Sequence, residues 1–348
     1  MLGPYKYREV CIMEGKIKRI GVLTSGGDAP GMNAAVRAVV RTAVGQGIEC
    51  VGIRRGWNGL INSDFVRLDG SSVSHIINKG GTLLYTARSE EFMEEAGRDK
   101  ALNTCRLLGL DGIVAIGGDG TFRGALALSR QAAQRGMTLQ VVGIPATIDN
   151  DIGCSYYTIG FDTACNTAIE CIDKLRDTMQ SHERCSVVEV MGRHAGYLAL
   201  AVGIAVGATA VLIPEREMDF ERDIVDKIRR ARLAGTTHYM VVVAEGCGSA
   251  VEIGDRIHEE LGIDPRVTVL GHIQRGGSPT VQDRETASRL GYEAVMALRE
   301  GNENCVISVQ GGCTGRIEME AALQMTKAFH MERYHLLEAL TNGGSMLH

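Results

Sequence analysis

Val141-Val142-Gly143-Ile144-Pro145-Ala146-Thr147-Ile148-Asp149-Asn150-Asp151 is the stretch on which the fold turns. Its first four residues are apolar without alternation, the pattern of a strand buried on both faces of a parallel sheet. The run then delivers Thr147, Asp149 and Asp151 into one short loop. An Asx-turn cluster is the bland explanation, but three polar side chains directly after a buried strand fit it poorly. Ligands bind outside the carboxyl ends of strands in open α/β sheets. The loop therefore reads as a working edge with a carboxylate available as general base. Asp149 and Asp151 stand two apart, so in an extended segment they would face the same way.

The device recurs on both sides. Residues 20–23 are apolar, then Thr24-Ser25-Gly26-Gly27-Asp28 turns into a helical pattern over 32–44. A strand is expected over 49–53 and another over 112–116, followed by Gly117-Gly118-Asp119-Gly120-Thr121 and a helix to about 134. Downstream, helices are expected over 161–179, 195–205 and 283–299. Strands are expected over 186–191, 211–213, 240–244, 267–270 and 306–309, and the charged stretch 220–234 is amphipathic. Strand and helix in alternation argue for βαβ units and a mostly parallel sheet. The expectation is an α/β protein of two domains facing across a cleft.

The bulk numbers agree. At 348 residues the chain is long enough for two domains. A net charge of −5 gives no support to a nucleic-acid role. No stretch approaches the roughly 20 apolar residues of a membrane span, and residues 1–16 lack a signal-peptide core. Those residues read as an N-terminal extension. The 10 cysteines include no CxxC pair and no zinc spacing, which fits reduced thiols in a cytoplasm.

Gly26, Gly27 and Gly31 stand at a strand-to-helix turn, where glycines let backbone N–H groups approach an anion. No Gly-Lys-Ser/Thr follows, so this is not a Walker loop, and the dinucleotide fingerprint GxGxxG is missing. The second glycine loop adds Asp119. Beside phosphates that carboxylate suits Mg²⁺; the alternative is a helix cap. Arg88, Arg184, Arg193, Arg266 and Arg275 fall near strand ends or glycines, a pattern that suggests a second phosphate site. His272, between Gly271 and Gln274-Arg275, is the histidine singled out. The residues together point to phosphoryl transfer, which needs positioning, cation stabilisation and a base.

The motifs IGVLTSGGDAPGMNAAVR, NKGGT, AIGGDGT, TIDNDI, SVVEVMGRHAGYLAL and VLGHIQRGGSP, with Asp283-Arg284, occur in one order from about residue 17 to about 316. In this the chain resembles the bacterial-type 6-phosphofructokinases. The resemblance implies two Rossmann-like parallel-sheet domains with the active site in the cleft between them. Residues 17–160 plus about 274–324 would bind ATP, and 161–273 plus about 325–348 would bind the sugar phosphate. It implies transfer of the ATP γ-phosphoryl group to the 1-hydroxyl of fructose 6-phosphate, with Mg²⁺ and ATP as co-substrate, in the cytoplasm. Asp149 would be the base, with Thr147 and Asp151 flanking and Arg88 and Gly26 assisting. Gly26, Arg88, Ser89, Gly118, Asp119, Gly120 and Thr121 would contact ATP, with Asp119 at the metal. Thr147, Ile148, Asp149, Asp151, Met191, Gly192, Arg193, Glu245, His272, Ile273, Gln274 and Arg275 would hold the sugar phosphate. Arg184 and Arg266 match arginines that reach a neighbouring subunit's site, which implies a homo-oligomer, most often a tetramer.

The sequence departs from the family pattern at the donor and at the effector positions. A pyrophosphate-dependent branch carries Asp at position 120 and Lys at position 146. Gly120 is the ATP-type residue, and Ala146 is neither that Lys nor the usual Gly. Its methyl adds no charge, so ATP is the expected donor, with the pyrophosphate-dependent enzyme as the alternative. A non-catalytic sugar-phosphate-binding regulatory subunit is the alternative of another class; the presence of Asp119, Asp149 and Arg88 argues against it. Arg37, Arg41 and Arg176 match effector-site arginines, but Gly70, Thr209 and the stretch 233–237 depart from the pattern. Fewer cations weaken anion binding, so allosteric control by ADP and phosphoenolpyruvate is expected to be weak or absent.

Overall fold

The computed structural model describes residues 17–301 and 304–341; the expected extension over 1–16 lies outside them. Eleven strands fall into two sheets among these residues. The larger has seven strands. β1 (Arg19–Ser25), β2 (Glu49–Ile53), β4 (Gly112–Gly117), β5 (Gln140–Pro145) and β10 (Cys305–Gln310) are parallel. β3 (Phe65–Leu68) and β11 (Cys313–Glu318) close the two edges antiparallel, in the order β11-β10-β5-β4-β1-β2-β3. The smaller sheet is all parallel, ordered β7-β8-β6-β9, from β6 (Cys185–Val190), β7 (Ala210–Leu212), β8 (Tyr239–Ala244) and β9 (Arg266–Val269).

Helices cover both faces of the sheets, which is why the central strands β4 and β8 are continuous apolar runs. α1 (Met32–Gly45), α2 (Gly56–Ile61), α3 (Glu95–Leu108) and α4 (Asp119–Gln134) belong to the first half. α5 (Phe161–His182), α6 (Tyr197–Ala205), α7 (Asp226–Leu233) and α8 (Ala250–Leu261) follow, then α9 (Val281–Arg299), α10 (Met319–Gln324) and α11 (Met331–Thr341). Every residue of β4 and β8 is buried. Among the described residues no helix is long and apolar enough to cross a membrane.

The larger sheet has a topological switch between β1 and β4, the place where such sheets open a crevice. The register sets Ser25 opposite Gly117, and Gly117 opposite Pro145. The three loops singled out from the sequence therefore start at one level on neighbouring strands.

One buried carboxylate joins the halves of the chain. Asp283, near the start of α9, is fully buried. It accepts from Tyr157 Oη at 2.6 Å, Gly160 N at 2.7 Å and Thr163 N at 2.9 Å, and also from Thr163 Oγ1. Those donors lie at and just before the N-terminus of α5, so the carboxylate takes up orphan helix donors. Gly160 has φ 103° and sits against Ala29, a close approach that a side chain would block.

Candidate active site

The first wall of the site is the carboxyl edge of β1, β4 and β5. Thr121 Oγ1 donates to the Ser25 carbonyl at 3.1 Å, and Ala146 N donates to the Gly117 carbonyl at 2.9 Å. Thr86 Oγ1 donates to the Gly26 carbonyl at 2.7 Å. These bonds lock the glycine loops to each other. A side chain at Gly117 would collide with the Ser25 carbonyl, so this approach needs glycine. Gly118 and Gly120 have open space where a side chain would stand. That leaves the N-terminus of α4, with its unpaired N–H groups, open to an anion.

Asp119 is the first residue of α4, not its cap; Gly118 caps the helix without a side chain. Its half-exposed carboxylate pairs with Arg123 at 2.8 Å. No group of three or more metal-ligating side chains exists among the described residues. The donor set is thus one carboxylate beside the open backbone at Gly118 and Gly120. That suits Mg²⁺ carried in on phosphates, a mode that takes one or two carboxylates and no full protein cage. Arg88 is exposed, and Ser89 accepts the Phe92 N–H at 3.3 Å, so its hydroxyl starts a turn.

The second wall is the carboxyl edge of the smaller sheet. Met191, Gly192 and Arg193 follow β6, and Glu245 follows β8. Leu270–Arg275 follows β9. Glu245 Oε1 accepts from Gly192 N at 3.2 Å and Arg193 N at 2.6 Å. Gly192 and Arg193 have φ 140° and 57°, and this carboxylate holds that left-handed turn. Gln274 is fully buried, and its Oε1 accepts from Met191 N at 2.8 Å. Its Nε2 has no hydrogen-bond partner among the described residues. His272 and Ile273 are exposed on the same turn.

The two walls meet at Asp149 and Arg275. Asp149 is 7% exposed, and its Oδ1 is buried without a partner among the described residues. Its pKa is pushed up to about 6, first by burial and then by the like charge of Asp151, with Arg275 and Arg193 pulling the other way. Arg275 donates to the Asp28 carbonyl at 3.1 Å, and its guanidinium occupies the space a side chain at Gly27 would take.

The structure corrects one sequence expectation. Asp149 and Asp151 do not share a face, because Asn150 between them adopts φ 52° and turns the chain. Asp149 still feels the charge of Asp151, along with Arg275, Glu245 and Arg193, while exposed Asp151 also feels Asp119 and Lys327. Asp119 does not cap α4, so the helix-cap alternative for it falls away. Arg184 and Arg266 lie at the entry ends of β6 and β9, with Ser186 opposite Arg266, across the small sheet from Met191–Arg193. Within this chain Arg266 pairs with Asp264 at 3.5 Å. Arg37 and Arg41 stand four apart on α1, and Arg176 lies on α5. Arg41 donates to the Gly70 carbonyl at 3.5 Å. Arg176 donates to the Val206 carbonyl in the wall of a cavity of about 230 Å³ that Thr209, His238 and Thr341 also line.

Sequence reasoning missed Thr158 and Lys327. Thr158 Oγ1 donates to the Thr147 carbonyl at 2.6 Å, and Lys327 Nζ donates to Asn150 Oδ1 at 2.8 Å. The Asn150-Lys327 pair spans 177 residues, which no local spacing can signal.

Comparison with known proteins agrees with this geometry. A family model described as phosphofructokinase matches residues 19–298. A Clostridium botulinum protein named ATP-dependent 6-phosphofructokinase is 49% identical over 325 residues, 93% of this chain and 100% of its own. One of the same name from Shouchella clausii is 50% identical over the same shares. Among solved structures, phosphofructokinase from Saccharomyces cerevisiae is 32% identical with a TM-score of 0.88; the match covers 95% of this chain and 51% of the yeast chain. This chain thus spans about half the yeast protein's length. A pyrophosphate-dependent phosphofructokinase from Marinobacter aquaeolei shares the fold at 21% identity, with a TM-score of 0.81 over 91% of this chain and 86% of that one.

Proposed function

The chain belongs to the phosphofructokinase family, and from that premise we propose that it transfers the terminal phosphoryl group of ATP to the 1-hydroxyl of fructose 6-phosphate. The observation that carries this reading is the buried Asp149, poised between the open N-terminus of α4 and the Arg193, Glu245 and Arg275 loops. A pKa of about 6 keeps the carboxylate ionised at neutral pH yet close enough to it to accept a proton. The acceptor oxygen bonds to phosphorus as the bond to the ADP oxygen breaks, and the hydroxyl proton passes to Asp149.

Residues 17–160 with about 274–324 hold ATP, and 161–273 with about 325–348 hold the sugar phosphate. Gly26, Arg88, Ser89, Gly118, Gly120 and Thr121 line the nucleotide side, with Arg88, Gly26 and Thr147 beside the reacting group. Asp119 would hold Mg²⁺, which supplies charge neutralisation on the phosphates when bound. Met191, Gly192, Arg193, Glu245, His272, Ile273, Gln274 and Arg275 line the sugar-phosphate side with Ile148 and Asp151. The enzyme works in the cytoplasm as a homo-oligomer, a tetramer. Arg184 and Arg266 serve a neighbouring copy, consistent with their place at the far ends of their strands.

ATP is favoured over pyrophosphate by Gly120, whose open surroundings leave room for a nucleotide, and by buried Ala146, which puts no cation at that position. A coupled assay with fructose 6-phosphate and Mg²⁺ tests the reading. Turnover with ATP alone is expected. Turnover with pyrophosphate would reverse the donor, and turnover with neither would leave a binding subunit.

Arg266→Ala is expected to raise the fructose 6-phosphate KM about tenfold or more with kcat within about threefold, as befits ground-state phosphate binding. Initial rates at varied sugar phosphate check this; an unchanged KM would remove the subunit-bridging role.

A further inference from the structure

Between α10 and α11 the chain leaves the larger sheet and crosses toward the smaller one. This strap presses on the loop that follows β5, where a side chain at Gly153 would collide with the Met325 carbonyl. Half-buried Lys327 points from it into that loop. Its Nζ donates to Asn150 Oδ1 at 2.8 Å and to the Tyr156 carbonyl at 3.0 Å.

We infer that Lys327 is a positioning residue for phosphoryl transfer, holding Asn150 in the left-handed turn that separates Asp149 from Asp151. The assignment rests on the reading of Asp149 as the base.

Asn150 has φ 52°, a region asparagine tolerates better than most residues but which still needs support from its surroundings. Two donors reach its Oδ1. Thr158 Oγ1 is one, at 3.3 Å. A hydroxyl carries a single hydrogen, and the 2.6 Å bond from Thr158 to the Thr147 carbonyl claims it. Lys327 is therefore the donor on which Asn150 depends.

Lys327 is itself fixed from the other half of the molecule. Its ammonium lies 5.2 Å from the ring centroid of Tyr197, and Tyr197 Oη donates to the Lys327 carbonyl at 3.2 Å. Tyr197 opens α6, four residues beyond Arg193, and its ring contacts Phe329 of the strap at 5.2 Å. One side chain thus ties the loop of the base to the sugar-phosphate wall. Burial pulls the ammonium down to about 8, with Asp151 opposing. That desolvation works against folding. A methionine would fill similar space without it, so the charge is explained by what it donates to.

The test compares Lys327→Met, Asn150→Gly and the double variant by kcat, fructose 6-phosphate KM with MgATP, and melting temperature. Lys327→Met is expected to lower kcat about tenfold or more, with KM within about threefold and melting unchanged or raised. Lys327→Arg should recover most of kcat. The double variant should lose no more than the worse single one, since both remove the same bond. A Lys327→Met kcat within twofold of wild type, or losses that multiply in the double, would overturn the assignment. If Lys327→Met fails to fold, Asn150→Gly carries the test alone: it keeps the positive φ and removes the acceptor, and an unchanged kcat sinks the idea. Wild type without turnover removes the base assignment and this role together, whereas an active wild type with an unaffected variant removes this role only.

Discussion

Asp149→Asn is expected to lower turnover by about 10²–10⁴-fold, the usual worth of a general base, and at the same time to make the protein more stable. The amide keeps the shape of the carboxylate, so the fructose 6-phosphate KM should move by only a few-fold. The stability gain follows from the same burial that tunes the base. Asp149 is 7% exposed with a pKa pushed up to about 6, chiefly by burial. A carboxyl whose folded pKa lies above its unfolded value favours folding only while protonated. Its contribution is intact below about pH 4 and is lost as pH rises through about 6. Above that, the buried charge costs on the order of 2–3 kcal/mol, from about two units at roughly 1.4 kcal/mol each. Asparagine removes the cost. Urea unfolding at pH 8 should show the variant more stable, with the difference closing toward pH 4. The wild-type kcat/KM profile should fall on the acid side near pH 6, where the free enzyme's base takes up its proton. Turnover within tenfold of wild type would show that Asp149 is not the base. A variant less stable at pH 8 would show that the pocket favours the charge.

Asp283→Ala should cost the most stability of any single change proposed, about 4 kcal/mol. The carboxylate is fully buried and takes four donors from Tyr157, Gly160 and Thr163. Truncation strands those donors, and each unsatisfied buried group costs about 1–3 kcal/mol, less whatever water recovers by entering. Burial pushes this carboxyl up and the donors pull it back, with burial the stronger, so the site holds its charge at some expense. Asp283→Asn tests the division: it can still accept, but its amide faces donors on one side, so it should fall between wild type and alanine. Urea midpoints at pH 7 measure the series, and an alanine variant within about 1 kcal/mol of wild type would show that the cluster is not holding α5 to α9.

The parts of the fold that could be read from the sequence are those buried on both sides. β4 and β8 are continuous apolar runs because helices cover both faces of the sheet. The two edges of the larger sheet were illegible for the same reason. β3, Phe65–Leu68, is half exposed, and β11 reads Cys-Thr-Gly-Arg-Ile-Glu, a solvent-facing strand with no apolar stripe. α3 carries Gly97 and many charges, so its buried face, built from Ala101, Leu102, Cys105 and Leu108, was hidden among polar residues. In the site, most of the loops could be placed because they follow buried strands; the exception is the loop after β9, whose own strand is partly exposed. The direction of Asp151 could not, since it hangs on one dihedral angle at Asn150. Lys327 could not be found at all, because its partner is fixed by the path of the strap and not by any spacing.

That path has a consequence for the order in which the protein is made. β10 pairs with β5 and β11 seals the edge beyond it, while Tyr334 of α11 is buried with its hydroxyl against Arg216 and the Val211 carbonyl. Both halves of the molecule are therefore completed by residues 305–341. On the ribosome, the strands that carry the glycine loops emerge early, but the loop of Asp149 waits for the strap that carries Lys327. Until then it lacks its brace, and the nascent protein has the parts of a catalyst without their alignment.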